Sequence, residues 1–363
     1  MENFDQTYIG TGPISVIDAC VKNSTGSSVL MIDEKEQLGG AWVAINVGDY
    51  GSLEIGCHIW SYNKKAYDFL QTFFDLDLIE LTPQPYFIKG KTRLIYDHKN
   101  GLTTLKNSLG YLKKFDLKKL GGYLRHHPAA RFPLVPKKYL YPKGGARDLQ
   151  KAIEEKVANS TITTALQTQI TTLNKLDAGW ELVTAEGKSY VTNNITLTAT
   201  SAIKEINYLG KTIQLSHRYL NYTHFHLVVK NELLKPCSYI RVLDDKVIHR
   251  VSDITYQLET KVDKGHTVIL VGVFDAELSE LETAGDNDEK AIKYIVDYLV
   301  RKGFLNQEPT IAFAQKNKFE TTYIAPEQIN EINDLDESIS VMATTDLIYG
   351  VYFKLKDWVK AKV

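Results

Sequence analysis

Cysteine is scarce in this chain. Three occur among 363 residues, Cys20, Cys57 and Cys237, widely spaced and odd in number. That pattern excludes a disulfide framework and points to reduced thiols in a cytosolic setting, so the expected location is cytoplasmic. Neither a Cys-x-x-Cys nor a His-Glu-x-x-His pair occurs, so no metal-ligand spacing is present and no metal is expected. Long apolar runs are missing too, which argues against an integral membrane segment. The first strand begins almost at residue 1, which leaves no room for a targeting peptide. Charge of one sign is absent: 43 Lys and Arg stand against 44 Asp and Glu, a net charge of −1, and nothing in that balance calls for nucleic acid. There is no internal repeat and no low-complexity linker. With 44% hydrophobic residues the chain can bury a sizeable core, and its length suits two intertwined domains better than one.

What is present is concentrated in residues 8–58. Tyr8-Ile9-Gly10-Thr11-Gly12-Pro13-Ile14-Ser15 is a glycine-rich turn where a strand should lead into a helix. Ser28–Ile32 is an apolar strand ending in Asp33-Glu34, with Glu34 nineteen positions beyond Ser15. Together they have the layout of a βαβ unit that binds a dinucleotide. Gly10 permits the tight turn, and Gly12 lets the backbone approach a pyrophosphate. Ser15 stands where a third glycine or alanine is usual and is small enough for close helix–strand packing. The helix expected from Pro13 turns its N–H groups and positive dipole end towards phosphates. Proline suits that first position because its missing donor costs little there. Asp33 or Glu34 can accept hydrogen bonds from a ribose diol, and an acid there disfavours a 2′-phosphate. The glycine pair alone would serve equally as an ordinary turn; position, spacing and the acidic strand end together make it a nucleotide site.

Beyond residue 60 the pattern changes. Helical periodicity marks Lys64–Leu78 and about 102–124, around a hairpin over Phe87–Tyr96 that turns at Gly90-Lys91. Residues 111–147 hold ten Lys and Arg, which serve either as a solvated helix face or to attract an anionic substrate or a membrane surface. A helix follows Tyr141-Pro142-Lys143-Gly144-Gly145 through about Ala158. A strand is expected over Ile162–Leu173, a hairpin over Trp180–Thr184 and Lys188–Val191, and a buried strand over Asn194–Ala199. Alternation over Thr223–Val229, Ser238–Leu243, Lys246–Ser252 and Thr267–Phe274 predicts an antiparallel sheet with a turn at Asp244-Asp245. A helix over Lys290–Lys302, a strand over Ile339–Ala343 and a helix from about Tyr349 to Lys360 complete the pattern. The expected fold class is α/β. A Rossmann-type dinucleotide-binding domain (1–60, 141–212 and 318–363) is interleaved with a substrate or cap domain of antiparallel sheet plus helices (61–140 and 213–317).

Piece by piece, the chain resembles the superfamily of FAD-dependent amine oxidases and protoporphyrinogen oxidases, which includes UDP-galactopyranose mutase. Gly10-Thr11-Gly12-Pro13-Ile14-Ser15 resembles its first FAD motif. Leu38-Gly39-Gly40-Ala41-Trp42 resembles the segment that passes the cofactor after the ribose-binding acid. Glu54-Ile55-Gly56-Cys57-His58-Ile59-Trp60 resembles the stretch that closes over the flavin, and His58–Asn63 is most similar to the mutases. Tyr141–Gly145 is similar to a shared Pro-Lys-Gly-Gly lead into a helix. Gln169-Ile170-Thr171 resembles the strand that meets the adenine, and Leu197-Thr198-Ala199 a later family strand. Thr345-Asp346 resembles the Gly-Asp that meets the ribityl chain. The helix after it should point its N-terminus at the flavin, which brings in Tyr349. The chain departs from the pattern at Ser15, at Cys57 in place of proline, at Thr345 in place of glycine, and at Ala41-Trp42 where oxidases often carry an arginine.

The resemblance implies FAD as cofactor, and an oxidoreductase that transfers hydride from a small molecule to flavin N5. Two alternatives stay open. One is a flavin-dependent sugar-nucleotide mutase, which needs arginines for a diphosphate; candidates are Arg125, Arg131, Arg218, Arg241 and Arg250. The other is a non-catalytic FAD- or nucleotide-binding protein. His58, beside the flavin by resemblance, either moves a proton or only hydrogen-bonds there. Arg241 and Arg250 flank the presumed hairpin, and either face the pocket or form ordinary strand ion pairs. The expected partner is a small molecule, with an anionic one favoured by the basic segment, and a homodimer is compatible with the sequence. His224 and His226 share one strand face, but no third metal ligand accompanies them.

Overall fold

The structure, a computed structural model, describes residues 2–56, 59–61, 63–81, 86–90, 92–94, 109–110, 113, 139–230, 238–257, 265–275, 278–279, 288–342 and 347–360. Cys57, His58, Thr345, Asp346 and the Tyr349 side chain lie outside the described residues, as do most of the helix expected over 102–124 and most of the basic segment.

Strand β1 (Asn3–Ile9) alternates at its start and is continuously buried from Gln6 to Ile9. Helix α1 (Pro13–Ser24) follows at once, with proline in its first turn. Strand β2 (Val29–Ile32) is buried along its whole length, as a strand covered on both faces must be. Helix α1 buries Ile14, Val16, Ile17, Ala19 and Val21, more than a single stripe, because helices cover it on the side away from the sheet. These are α2 (Lys64–Phe74) and α3 (Ala146–Ala158), joined by a C-terminal helix described below. Asn63 caps α2, its side-chain oxygen accepting from the Ala66 N–H, and left-handed Asp75 ends it, four residues short of Leu78.

The expected strand over Ile162–Leu173 is two strands, Thr163–Ala165 and Ile170–Lys175. They break at Gln167, whose φ is +53°. The Gln167 and Thr168 N–H groups donate to the Lys35 and Asp33 carbonyls, so the end of β2 holds the break open. Conversely, β3 (Ser189–Thr198) is one strand where two were expected. Its first half pairs with Trp180–Thr184 and its second half continues beside β1. Asn193 and Asn194, which look like a turn in sequence, spend their amides on Asp5 instead.

A second sheet is built from β4 (His217–Lys230), β5 (Ile248–Asp253) and β6 (His266–Phe274), with β4 against β6 and β6 against β5, all antiparallel. Ile240–Val242 and the hairpin Tyr86–Lys89/Thr92–Leu94 extend one edge. Helix α4 (Asp288–Arg301) packs Ile295, Tyr298 and Leu299 on the face carrying Phe225, Leu227, Val271 and Val273. The other edge is β7 (Thr310–Ile324), fifteen residues paired with β4 along its length. The sequence contains no expectation for it, and the domain boundary placed before residue 318 falls inside it. The chain then returns to the first sheet through β8 (Ile339–Met342) and ends in α5 (Leu347–Lys360). Strands Thr163–Ala165, β2, β1, β3 and β8 are parallel neighbours, so their C-terminal ends line one edge of the nine-stranded sheet.

Candidate active site

A cavity of about 660 Å³ opens at that edge, between the first sheet and the second. This is where an open parallel sheet receives ligands, because the turns and helix N-termini there present unpaired N–H groups.

The glycine turn forms its floor. Gly10 has φ +107°, and a Cβ there would lie 2.3 Å from Thr198 Oγ1, so backbone conformation and packing both demand glycine. Gly12 differs: a Cβ there would meet nothing within 4 Å, so the protein itself leaves that space open. Gly40, at φ +62°, lies against Gly12, where a Cβ would come within 3.2 Å of the Gly12 Cα. The Gly39 N–H donates to the Thr11 carbonyl at 3.0 Å, fixing the second glycine pair over the first. Ser15 is 1% exposed, and its hydroxyl reaches Met342 Sδ at 3.7 Å, so the third fingerprint position packs α1 against β8.

The two acids after β2 separate cleanly. Asp33 is buried, and its Oδ2 accepts from the Thr11 N–H at 2.8 Å and the Thr11 hydroxyl at 2.6 Å. Its Oδ1 accepts from the Lys35 N–H at 3.0 Å. Asp33 therefore ties the glycine turn to the end of β2. Glu34 is exposed at the cavity wall, with Gln169 Nε2 at 3.5 Å. Nearby Ser201 is 6% exposed, and its hydroxyl is buried without a partner among the described residues.

The opposite wall comes from the second sheet. Register sets Asn317, His224, Gly272, Arg250 and Arg241 in one row across β7, β4, β6, β5 and the strand Ile240–Val242. Gly272 is the gap in that row. Across it the Arg250 Nη2–H donates to His224 Nε2 at 2.6 Å, which leaves the neutral His224 ring with its proton on Nδ1. His249 is the extra residue of a β-bulge: Ile248 opposes Val273 and Arg250 opposes Gly272. Such a bulge re-aims side chains, and His249 and Arg250 both line the cavity. A Cβ on Gly272 would come within 2.8 Å of His249 Nε2, so the bulge and the glycine depend on each other. Burial, followed by the Arg250 and Arg241 charges, pushes the His249 ring down to about 4. Tyr222 stacks on His224 at 6.5 Å and Phe319 lies 5.7 Å from it, giving the basic centre an aromatic surround.

His226, two residues further along β4, is fully buried and committed elsewhere. Its Nε2–H donates to the Glu54 carbonyl at 2.9 Å, and its Nδ1 accepts from Asn317 Nδ2 at 3.0 Å. Burial lowers its basicity. It fastens the second sheet to the short hairpin Ala44–Asn46/Ser52–Glu54, where Val228, Val268 and Leu270 pack on Val47 and Leu53. Among the described residues no group of three His, Cys, Asp or Glu is arranged to hold a metal.

No family model matches the sequence, and no curated protein matches it. Solved structures do. Reduced UDP-galactopyranose mutase superposes with a TM-score of 0.68 at 13% identity, covering 100% of this chain and 95% of that chain. Wild-type putrescine oxidase bound to putrescine gives 0.66 at 12% identity, covering 99% of each. An Exiguobacterium protein provisionally designated protoporphyrinogen oxidase gives 0.60 at 14% identity, covering 99% of this chain and 100% of that chain. The chain has their fold.

Within that fold, Gly10 and Gly12 line the cavity from the glycine turn, Pro13, Ile14 and Ser15 from the start of α1, and Asp33 and Glu34 from the end of β2. Gly40, Ala41 and Trp42 line it from the second glycine loop, and Ile170, Thr198 and Arg250 are the other expected residues on its wall among those described. Gly39 holds the loop from behind. Trp42 packs on Trp60, ring centres 5.6 Å apart, and both are buried. Arg241 sits directly opposite Arg250 but is exposed and outside the lining, so the two do not form a joint clamp there. His249, Tyr222, Phe319 and Ser201 line the cavity without having been expected. Only the adjacency of His249 to Arg250 offered a signal, and the bulge that uses it is not legible in sequence.

Proposed function

We propose that the chain is an FAD-dependent oxidoreductase acting on a small molecule held between the two sheets. The observation that carries this reading is Gly12. Its open space sits at the N-terminus of α1, beneath Gly40, in a cavity with the Ser201 hydroxyl, which has no partner among the described residues, and the exposed Glu34 carboxylate on its wall. These residues fit a dinucleotide. Gly12 and the α1 N-terminus would receive the pyrophosphate, and Glu34 rather than Asp33 the ribose diol, because Asp33 is already spent on Thr11 and Lys35. Ile170 and Thr198 would border the cofactor, with the N-terminal end of α5 nearby at Leu347. His58, Cys57, Asp346 and Tyr349 stay proposed contacts on resemblance alone. Bound FAD supplies a two-electron acceptor for a substrate C–H bond. The protein's part is to hold the substrate against the β4–β5–β7 wall and to exclude water. Neutral His224 and His249 supply hydrogen bonds there without adding charge.

The mutase reading draws on the fold shared with UDP-galactopyranose mutase over the full chain. The test begins with an absorption spectrum of the purified protein and identification of what denaturation releases. Flavin bands with released FAD are expected. Gly12→Val should remove them while circular dichroism stays native, because its side chain fills the pyrophosphate space. A folded Gly12→Val protein that stays yellow overturns the assignment. Turnover of a UDP-sugar only after dithionite reduction would select the mutase.

A further inference from the structure

Resting on the flavoenzyme reading, we infer that the substrate carries one small anionic group, a carboxylate or a phosphate monoester, received by Arg250 with His249. Arg250 is a permanent cation at the wall of the cavity. Among the described residues its only hydrogen bond goes to His224, a neutral acceptor, and no carboxylate pairs with it. Its Nε–H is buried without a partner among them. A partly buried cation left in this state is costly unless an anion completes it. His249 brings a second partnerless nitrogen, Nε2, to the same wall. The bulge aims both side chains, and His224 fixes the guanidinium by accepting a hydrogen bond from one of its N–H groups, so the remaining donors are preorganised.

The less exposed part of the wall sets the size of the group: Lys35 and Lys318 also line the cavity but are exposed, which leaves Arg250 as its partly buried cation among the described residues. Arg241, directly across from Arg250, is exposed and does not line the cavity. Glu320 is on the wall but makes no pair with Arg250 among the described contacts. One guanidinium and one imidazole suit a single anionic group better than a diphosphate. Tyr222 and Phe319, flanking His224, suit a flat apolar body attached to it.

The test is calorimetric titration of the full-length protein with benzoate, phenyl phosphate and the neutral benzamide. Benzoate or phenyl phosphate should bind, with benzamide weaker by about tenfold or more. The tighter of the two anions decides between carboxylate and phosphate. Arg250→Gln should lower anion affinity by about tenfold or more and leave benzamide unchanged, while Arg250→Lys should retain part, keeping the charge but losing the fork. The inference is overturned if benzamide binds the parent protein as tightly as benzoate, if neither anion binds, or if natively folded Arg250→Gln binds anions as the parent does. The benzamide comparison needs no variant, so misfolding cannot hide the outcome. FAD content measured on the same samples separates the two readings. A flavin-loaded protein that ignores anions sinks this inference alone; a colourless one that binds them through Arg250 sinks the flavin assignment alone.

Discussion

Asp33 and Glu34 are chemically alike and adjacent, yet the fold gives them opposite work. Consecutive side chains at a strand end point to opposite sides, so one is buried under the glycine turn and the other is left exposed at the cavity wall. Asp33→Asn removes a charged acceptor from the Thr11 N–H and hydroxyl, and it should lower unfolding free energy by roughly 1–3 kcal/mol in urea titrations. Glu34→Gln should leave that stability unchanged while weakening FAD retention by roughly three- to tenfold in a binding titration. Equal stability losses in the two variants would contradict the division. Sequence reading leaves the pair unresolved because the choice depends on Thr11, twenty-two residues away from Asp33. It does single out Gly10 and Gly12, because glycine is the residue whose lack of a side chain is itself the signal.

The elements most legible from sequence are those whose burial is one-sided or complete. Strands β1 and β2, helix α1 and the strands β4, β5 and β6 follow the periodicity because each buries a regular face. Strand β7 escaped because its Gln315, Asn317, Lys318 and Glu320 interrupt the apolar alternation; Ile311, Phe313, Ala314 and Ile324 pack on the cores, but the stretch between faces a cavity and a buried histidine. Helix α1 shows the same limit in another form. Asp18 looks like a surface residue, yet its side chain is 14% exposed. It accepts from Tyr8 Oη at 2.9 Å and Trp358 Nε1 at 2.7 Å, with Lys354 Nζ at 3.1 Å. This one carboxylate joins β1, α1 and α5. Asp18→Ala strands two buried donors and should cost about 3 kcal/mol, read as a lowered urea midpoint with an unchanged m-value. An effect below the surface-mutation range of about 0.5 kcal/mol would remove Asp18 from that role.

At the scale of the whole molecule, two sheets close on one cavity, and the closure carries a dependence on pH. His249 titrates near 4 in the folded protein against an ordinary 6.5, and burial shifts His226 the same way. Between those values the unfolded chain binds the His249 proton and the folded chain does not, so stability falls as pH drops from about 6.5 towards 4. His249→Asn should flatten that part of a plot of unfolding free energy against pH; an unaltered slope would place His249 in water instead. The sequence by itself determined the glycine-turn βαβ start, the α/β class and the interleaved order, because glycine turns, strand-end acids and hydrophobic periods act over a few residues. Only the tertiary structure decided which acid is left exposed at the cavity, that Arg250 and not Arg241 reaches it, and that His249 joins through a bulge opposite Gly272. Those outcomes depend on register between strands far apart in the chain, and register is settled by packing across the sheet.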